Sequence, residues 1–238
     1  HHDDALLMAD QTFLLKRLIK NCAKQFNMNA TFMAKPFSDE AGNGMHVHLS
    51  VVDKDGKNVF TMDKNKQPQG LFSQAIAGLL KTTPDFLSFY APHSNSYRRL
   101  VHNADHAPTT LSWGNENRTA LIRLPEASAE ATRLEFRVAS ADSNPYLVFA
   151  SVLASVYAGI QDKLPLDKET IGNAHAQHPP SLGVTWREAV EKTSVSSLVK
   201  DFFGEQFQQC YKCVKESEIK RFESTITDFE YHSYLRCL

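Results

Sequence analysis

Gly42-Asn43-Gly44-Met45-His46-Val47-His48-Leu49-Ser50 decides how this 238-residue chain is read. Strict alternation across the stretch is the period of a β-strand. It sends Met45, Val47, Leu49 and the following Val51 to a core and gathers His46, His48 and Ser50 on the opposite face. Alternation alone also fits a half-buried strand with two solvated histidines. Glycines flank the approach, however, so the backbone comes close to a ligand where a side chain would obstruct it. The polar face reads as a site for a metal and a phosphate.

A second segment strengthens that reading. In Arg133-Leu134-Glu135-Phe136-Arg137-Val138 the charged residues share one face and the apolar residues the other. A carboxylate between two guanidiniums is costly to bury without an oxyanion or cation beside it. Two further basic stretches lie between them, Asn95-Ser96-Tyr97-Arg98-Arg99-Leu100 and Asn115-Glu116-Asn117-Arg118-Thr119-Ala120-Leu121-Ile122-Arg123. Arginine forks bind two oxygens in one plane, which suits carboxylates and phosphates. From residues alone, the set fits an ATP-dependent ligase or kinase acting on a carboxylic acid.

Composition excludes other classes. A net charge of -1 and a pI near 6.9 give no field for gripping nucleic acid. No apolar run reaches the roughly 18 residues of a membrane span and nothing resembles a signal peptide, which leaves the cytoplasm as the expected compartment. Cys22, Cys210, Cys213 and Cys237 make no metal-binding set, because the C-x-x-C at Cys210 and Cys213 has no second pair.

Helix and strand signals alternate without a repeat. Asp4 caps a first helix with Leu14, Leu15, Leu18, Ile19 and Phe26 at helical spacing, read as packing. Asp55-Gly56 signals a hairpin ahead of a helix carrying Leu71, Phe72, Ala75, Ile76 and Leu79, and Pro84 starts the next segment. Asn144-Pro145 opens a long helix with Tyr146, Phe149, Val152, Leu153, Val156 and Tyr157 on its apolar side. Pro165 to Pro180 reads as a linker with solvated His175 and His178. Thr185-Trp186-Arg187-Glu188 is a capping box, and an amphipathic helical tail follows from Phe202 to Phe222.

Ala30-Thr31-Phe32-Met33-Ala34-Lys35-Pro36, Gly42 to Ser50, Asn95 to Leu100, Asn117-Arg118 with Arg123, Glu135-Phe136-Arg137 and Asn144-Pro145-Tyr146 follow one another in an order that resembles the glutamine synthetase family. Ala9-Asp10, Ala34 to Pro36 and Trp113-Gly114 resemble its γ-glutamylpolyamine synthetases, which join glutamate to putrescine, more than its ammonia-using members. The resemblance implies an α+β catalytic domain, an antiparallel sheet carrying the site with helices packed behind. It implies His46 and Glu135 as ligands of a divalent ion, Mg2+ or Mn2+. It also implies His48, Ser50, Arg123 and Arg133 as contacts to ATP, Arg118 as the catalytic arginine steadying the transferred phosphoryl group, and Gly42, Arg99 and Arg137 as the grip on glutamate. The partners implied are glutamate, an amine, ATP and further copies in a ring with sites between subunits, with neither nucleic acid nor membrane.

Three departures from the ammonia-using pattern bear on the amine. Ala41 stands where an asparagine helps to hold glutamate, and Glu130 where a lysine faces ATP. The loop Leu100 to Pro108 is one residue longer than usual and lacks the glutamate that deprotonates ammonium, leaving Asp105 and His106 as candidates beside the reading of an ordinary solvated loop. The opening His1-His2-Asp3-Asp4 resembles the stretch after the family's first metal-binding glutamates. Residues 1–238 are therefore expected to be a carboxy-terminal part of the catalytic domain, with little or no turnover alone.

Overall fold

The computed structural model describes residues 2–101, 107–182 and 184–237, so the loop positions His102 to His106 lie outside the described residues. The chain opens with helix α1 (Ala5–Gln25), whose first N–H groups at Leu6 and Leu7 donate to the Asp4 carboxylate. Strand β1 (Val47–Leu49) follows, then a tight turn in which Gly56 N–H donates to Asp53 O and Gly56 takes φ +78°. The Asp55-Gly56 hairpin is thus present, and a second small hairpin pairs β2 (Thr61–Met62) with β3 (Pro68–Gln69). Helices α2 (Leu71–Tyr90) and α3 (Ser94–Tyr97) lead to β4 (Trp113–Asn115), β5 (Ile122–Leu124) and β6 (Leu134–Phe136). Helices α4 (Pro145–Gln161), α5 (Ala174–Gln177), α6 (Trp186–Val195), α7 (Ser197–Phe203), α8 (Glu205–Glu223) and α9 (Asp228–Tyr234) complete the described chain.

The main sheet has the order β1-β6-β5-β4. Its β1–β6 and β6–β5 pairs are antiparallel as expected, but β5–β4 is parallel, so the sheet is mixed. The cause lies in residues 116–121, which loop back instead of reversing as a hairpin. Glu116 N–H reaches Leu124 O at 3.1 Å and Ile122 N–H reaches Ser112 O at 3.1 Å.

Behind the sheet, Val47, Trp113, Ile122, Leu134 and Phe136 pack on Phe72, Ile76, Leu79 and Tyr90 of α2 and on Val148 and Val152 of α4. Each such side chain contributes roughly 1.5–3 kcal/mol by leaving water. The Tyr90 and Phe136 rings meet edge to face at 4.9 Å on the core side of the sheet.

Three expectations are corrected. Helix α2 does not stop at Pro84 but runs through it. Proline removes one backbone donor, yet the buried Phe86, Leu87, Phe89 and Tyr90 beyond it hold the helix in place. On α4 the buried stripe is Val148, Ser151, Val152, Ser155, Val156 and Gly159, while Tyr146, Leu153 and Tyr157 face outward. Small residues carry the contact because α2 and α4 cross at Gly78 and Gly159, where Thr82 Oγ1 also donates to Ser155 Oγ at 2.6 Å. The segment from Pro165 to Pro180 is no free linker: it holds α5, His175 is buried 3.1 Å from Thr109, and His178 Nε2 lies 2.8 Å from Thr170.

Candidate active site

On the face turned away from the core, one row of side chains crosses the sheet. His48, Glu135 and Arg123 stand abreast in register on β1, β6 and β5, with Gly114 of β4 opposite Arg123. The alternation read from the sequence places them there: Val47, Leu134 and Phe136 point down, and their neighbours point up. Gly114 is required, because a Cβ there would sit 2.6 Å from Thr170 O and 2.9 Å from Asn117 Cβ.

Glu135 is the centre of the row. Its Oε1 accepts from Arg137 Nη1 at 2.6 Å and lies 2.9 Å from His46 Nδ1, and its Oε2 accepts from Arg123 Nη1 at 2.7 Å. Burial alone would raise its pKa. The hydrogen bonds from His46 and Arg123 and the charge of Arg137 outweigh burial and hold the carboxyl well below its usual range. His48 is also pushed below its ordinary range, by burial first and by the charges of Arg133 and Arg123 against the raising pull of Glu135. Arg133 Nε donates to His48 Nδ1 at 3.3 Å, which makes that nitrogen the unprotonated one.

The glutamate-holding candidates converge beside this row. The Arg99 guanidinium donates to Val138 O. Its stem lies so close to Gly42 that a Cβ there would be 2.5 Å from Arg99 Cγ. A Cβ on Gly44 would sit 3.3 Å from Arg99 Nη1 and 3.5 Å from His46 Nε2, so Arg99, Gly42 and His46 share one corner. Arg99 is only 4% exposed, and burial pushes its pKa down to about 10 despite the raising effect of Asp142. Arg137 Nη2 donates to Arg118 O at 3.1 Å, tying the second glutamate candidate to the loop of the catalytic one. Arg118 itself is exposed, and its charge lowers the pKa of both Glu116 and Arg137. Ser50 lies on the same polar face, exposed just beyond β1.

Two residues that the sequence reading assigned no role hold this site together. Glu116, in the left-handed region at φ +51°, binds Arg123 Nη2 at 2.6 Å and accepts the Glu126 N–H, so Arg123 is gripped from both sides. Glu169 accepts from Asn115 N–H at 2.8 Å and from Asn115 Nδ2 at 2.9 Å, while Asn117 Nδ2 donates to Thr170 O and Gly172 O. The Asn117-Arg118 turn is therefore pinned to the segment 169–174. The signal for Glu116 was its asparagine neighbours at a turn. Glu169 offered none, since its partners are some fifty residues away.

The arrangement is electropositive and poorly satisfied from within. The Nε–H groups of Arg99, Arg123 and Arg137 are each buried without a hydrogen-bond partner among the described residues, an expensive state. His46 and Glu135 offer nitrogen and oxygen donors suited to a divalent ion, but no group of three or more such ligands converges among the described residues. The described residues thus supply two candidate ligands and no complete metal site.

Comparison with known proteins agrees with this chemistry. Residues 1–234 match the family described as glutamine synthetase, catalytic domain. The chain is 36% identical over 230 residues to the gamma-glutamylputrescine synthetase of Escherichia coli, which covers 97% of this chain and 48% of that protein. It is 35% identical over 229 residues to the gamma-glutamylethanolamide synthetase of Streptomyces coelicolor, covering 96% of this chain and 48% of the relative. A solved structure titled "Apo GmaS without ligand" superimposes with a TM-score of 0.86 at 28% identity, over 98% of this chain and 54% of its own. The chain thus spans about half the length of the curated relatives it matches. Among the described residues no helix is long and apolar enough to cross a membrane.

Proposed function

This chain belongs to the glutamine synthetase family, and on that premise we propose that it supplies the nucleotide- and glutamate-facing part of a glutamate–amine ligase whose amine is a polyamine such as putrescine. The observation that carries the reading is the convergence of His46, Arg123 and Arg137 on the Glu135 carboxylate, with Arg99 at Gly42 and Gly44 beside it. In this proposal Arg99 and Arg137 hold the carboxylic acid, His48, Ser50, Arg123 and Arg133 line the ATP phosphates, and Arg118 faces the transferred phosphoryl group. The γ-carboxylate of glutamate attacks the terminal phosphorus of ATP, ADP leaves, and an amine displaces phosphate from the acyl phosphate. Positioning and charge neutralisation dominate such a transfer, which is what a row of arginines provides. Mg2+ or Mn2+ held by His46 and Glu135 would supply further neutralisation of phosphate charge.

The polyamine reading is supported by the residues at Ala9-Asp10, Ala34 to Pro36 and Trp113-Gly114 and by the identity to the putrescine-named relative. The test has two parts. Mn2+ should bind with an affinity that falls at least about ten-fold in His46→Ala, read by water-proton relaxation with and without ATP. Phosphate release with Mg-ATP and glutamate should be negligible for the chain alone. In a protein that also carries the remaining half of the fold, putrescine should stimulate it more than ammonium. Stimulation by ammonium alone would replace the polyamine reading with glutamine synthesis, and failure to bind both Mn2+ and ATP would remove the ligase reading.

A further inference from the structure

Helix α3 and the segment 138–142 are stitched together at both ends. At one end the Arg99 guanidinium donates to Val138 O. At the other, Asp142 Oδ2 accepts from Ser96 Oγ at 3.0 Å and lies 3.0 Å from His93 Nδ1. Between the two ends, Met45 N–H donates to Ala139 O at 2.8 Å and Ala141 N–H to Asn43 O at 3.2 Å, so the glycine-flanked strand entry is bound to the same segment.

Ser96 is the joint of this corner. It is fully buried, its hydroxyl accepts from His93 N–H at 3.2 Å, and its carbonyl accepts from Arg99 N–H at 3.2 Å. A carboxylate that fixes Ser96 therefore fixes the backbone from which Arg99 projects. The second oxygen of Asp142 makes the case for charge as well as shape. Oδ1 is buried with no hydrogen-bond partner among the described residues, so hydrogen bonds alone do not satisfy this carboxylate. What offsets it is positive charge: Asp142 raises the pKa of both Arg99 and Lys16 against their burial, and Lys16 Nζ donates to Ser143 O at 2.8 Å next door.

We propose that Asp142, clamped by His93 and Ser96, is the positioning residue that aims the Arg99 guanidinium at the corner formed by Gly42, Gly44 and His46. The inference rests on the reading of Arg99 as a glutamate-holding group, and it assigns Asp142 to affinity for the carboxylic acid and not to ATP. Asp142→Asn keeps the shape and removes the charge, and Ser96→Ala breaks the joint while leaving the charge.

The test follows the Arg99 side chain directly. Its Nε–H resonance in a spectrum of 15N-arginine-labelled protein is identified by its disappearance in Arg99→Lys. Both Asp142→Asn and Ser96→Ala should shift or broaden it, while the resonance of Arg123 stays in place. In the ligase, the same variants should raise the glutamate KM about ten-fold, equivalent to about 1.4 kcal/mol, with the ATP KM within about two-fold. An Arg99 resonance unmoved in both variants overturns the inference whatever the kinetics. A wild-type protein that binds no glutamate while the resonance moves as expected overturns the substrate reading and leaves the positioning role standing. If Asp142→Asn fails to fold, Ser96→Ala alone decides.

Discussion

At Glu135 three donors meet one buried carboxylate, and its replacement leaves two guanidiniums facing each other across the sheet. Glu135→Gln keeps the volume and removes the charge. Breaking a buried pair in this way typically costs about 3–5 kcal/mol, so the urea midpoint should fall sharply. Arg133→Ala, whose partners His48 and Ala131 O lie at an exposed edge, should change stability by less than about 1 kcal/mol. Equal effects in the two variants would mean that the network around Glu135 is not the anchor of the site. Gly42→Ala separates binding from folding. Its Cβ meets the Arg99 stem at 2.5 Å and 2.9 Å, so Arg99 must move, and glutamate affinity should drop about ten-fold or more while the melting temperature changes little. The residues of the row were legible in the sequence because alternation is local and strands have a period of two. The Gly42–Arg99 contact was not, since it joins positions fifty-seven apart that no local pattern relates. The Glu169 clip on Asn115 was hidden for the same reason, whereas Glu116 grips Arg123 from within the same turn.

Among the elements, the crossing of α2 and α4 shows where reading hydrophobicity alone goes astray. Of the apolar stripe expected on α4, Val152 and Val156 are buried, but Tyr146, Leu153 and Tyr157 face outward and small residues take the contact, because Gly78 and Gly159 let the two backbones touch. A methyl group on Gly78 would lie 2.2 Å from Ser155 O and 2.8 Å from Gly159 Cα, against backbone that has nowhere to go. Gly78→Ala should therefore cost at least the roughly 1–3 kcal/mol of an overpacked core, and more than Gly56→Ala, which meets nothing within 4 Å and carries only the strain of φ +78°. The reverse ranking in chemical denaturation would place the critical contact elsewhere. Caps, by contrast, were legible, since Asp4, Asn144 and Thr185 bond the helix starts that the sequence assigned to them. Thr227 caps α9 with Glu230 by the same pattern, a signal present in the sequence but not used.

Helix α8 is tied to α2 by Tyr211, whose hydroxyl donates to Ser88 O at 2.8 Å, and burial drives the phenols of Tyr211 and Tyr90 well above their usual pKa. A folded-state pKa raised above the unfolded value favours the protonated folded form. This stability is complete below about pH 10 and is lost as pH rises beyond it. Above about pH 10 the wild-type denaturation midpoint should fall relative to that of Tyr211→Phe, which removes this contribution. A midpoint insensitive to alkali, or a fall unchanged in Tyr211→Phe, would mean that the Tyr211 phenol ionises within the folded protein.

For the molecule as a whole, the telling feature is what α1 leaves uncovered. The helix read as packing exposes Leu6 by 66%, Leu14 by 60%, Leu18 by 59% and Phe26 by 71%, and buries only Ala9. It is held to the body by Lys16 on Ser143 O, by Tyr146 on Asp10 and by the Phe13 ring against Tyr146, contacts that leave Leu14 and Leu18 in water. At roughly 25 cal/mol per Å2 of apolar area covered, such a surface favours association. The expected behaviour of the isolated chain is enhanced fluorescence of a hydrophobic dye and a sedimentation coefficient that rises with concentration. Leu14→Lys with Leu18→Lys should suppress both without lowering the urea midpoint, because neither side chain contributes to the core. A chain that stays monomeric and silent to the dye would show that these leucines are covered by α1's own neighbours in solution. A double variant that unfolds would place them in the core after all.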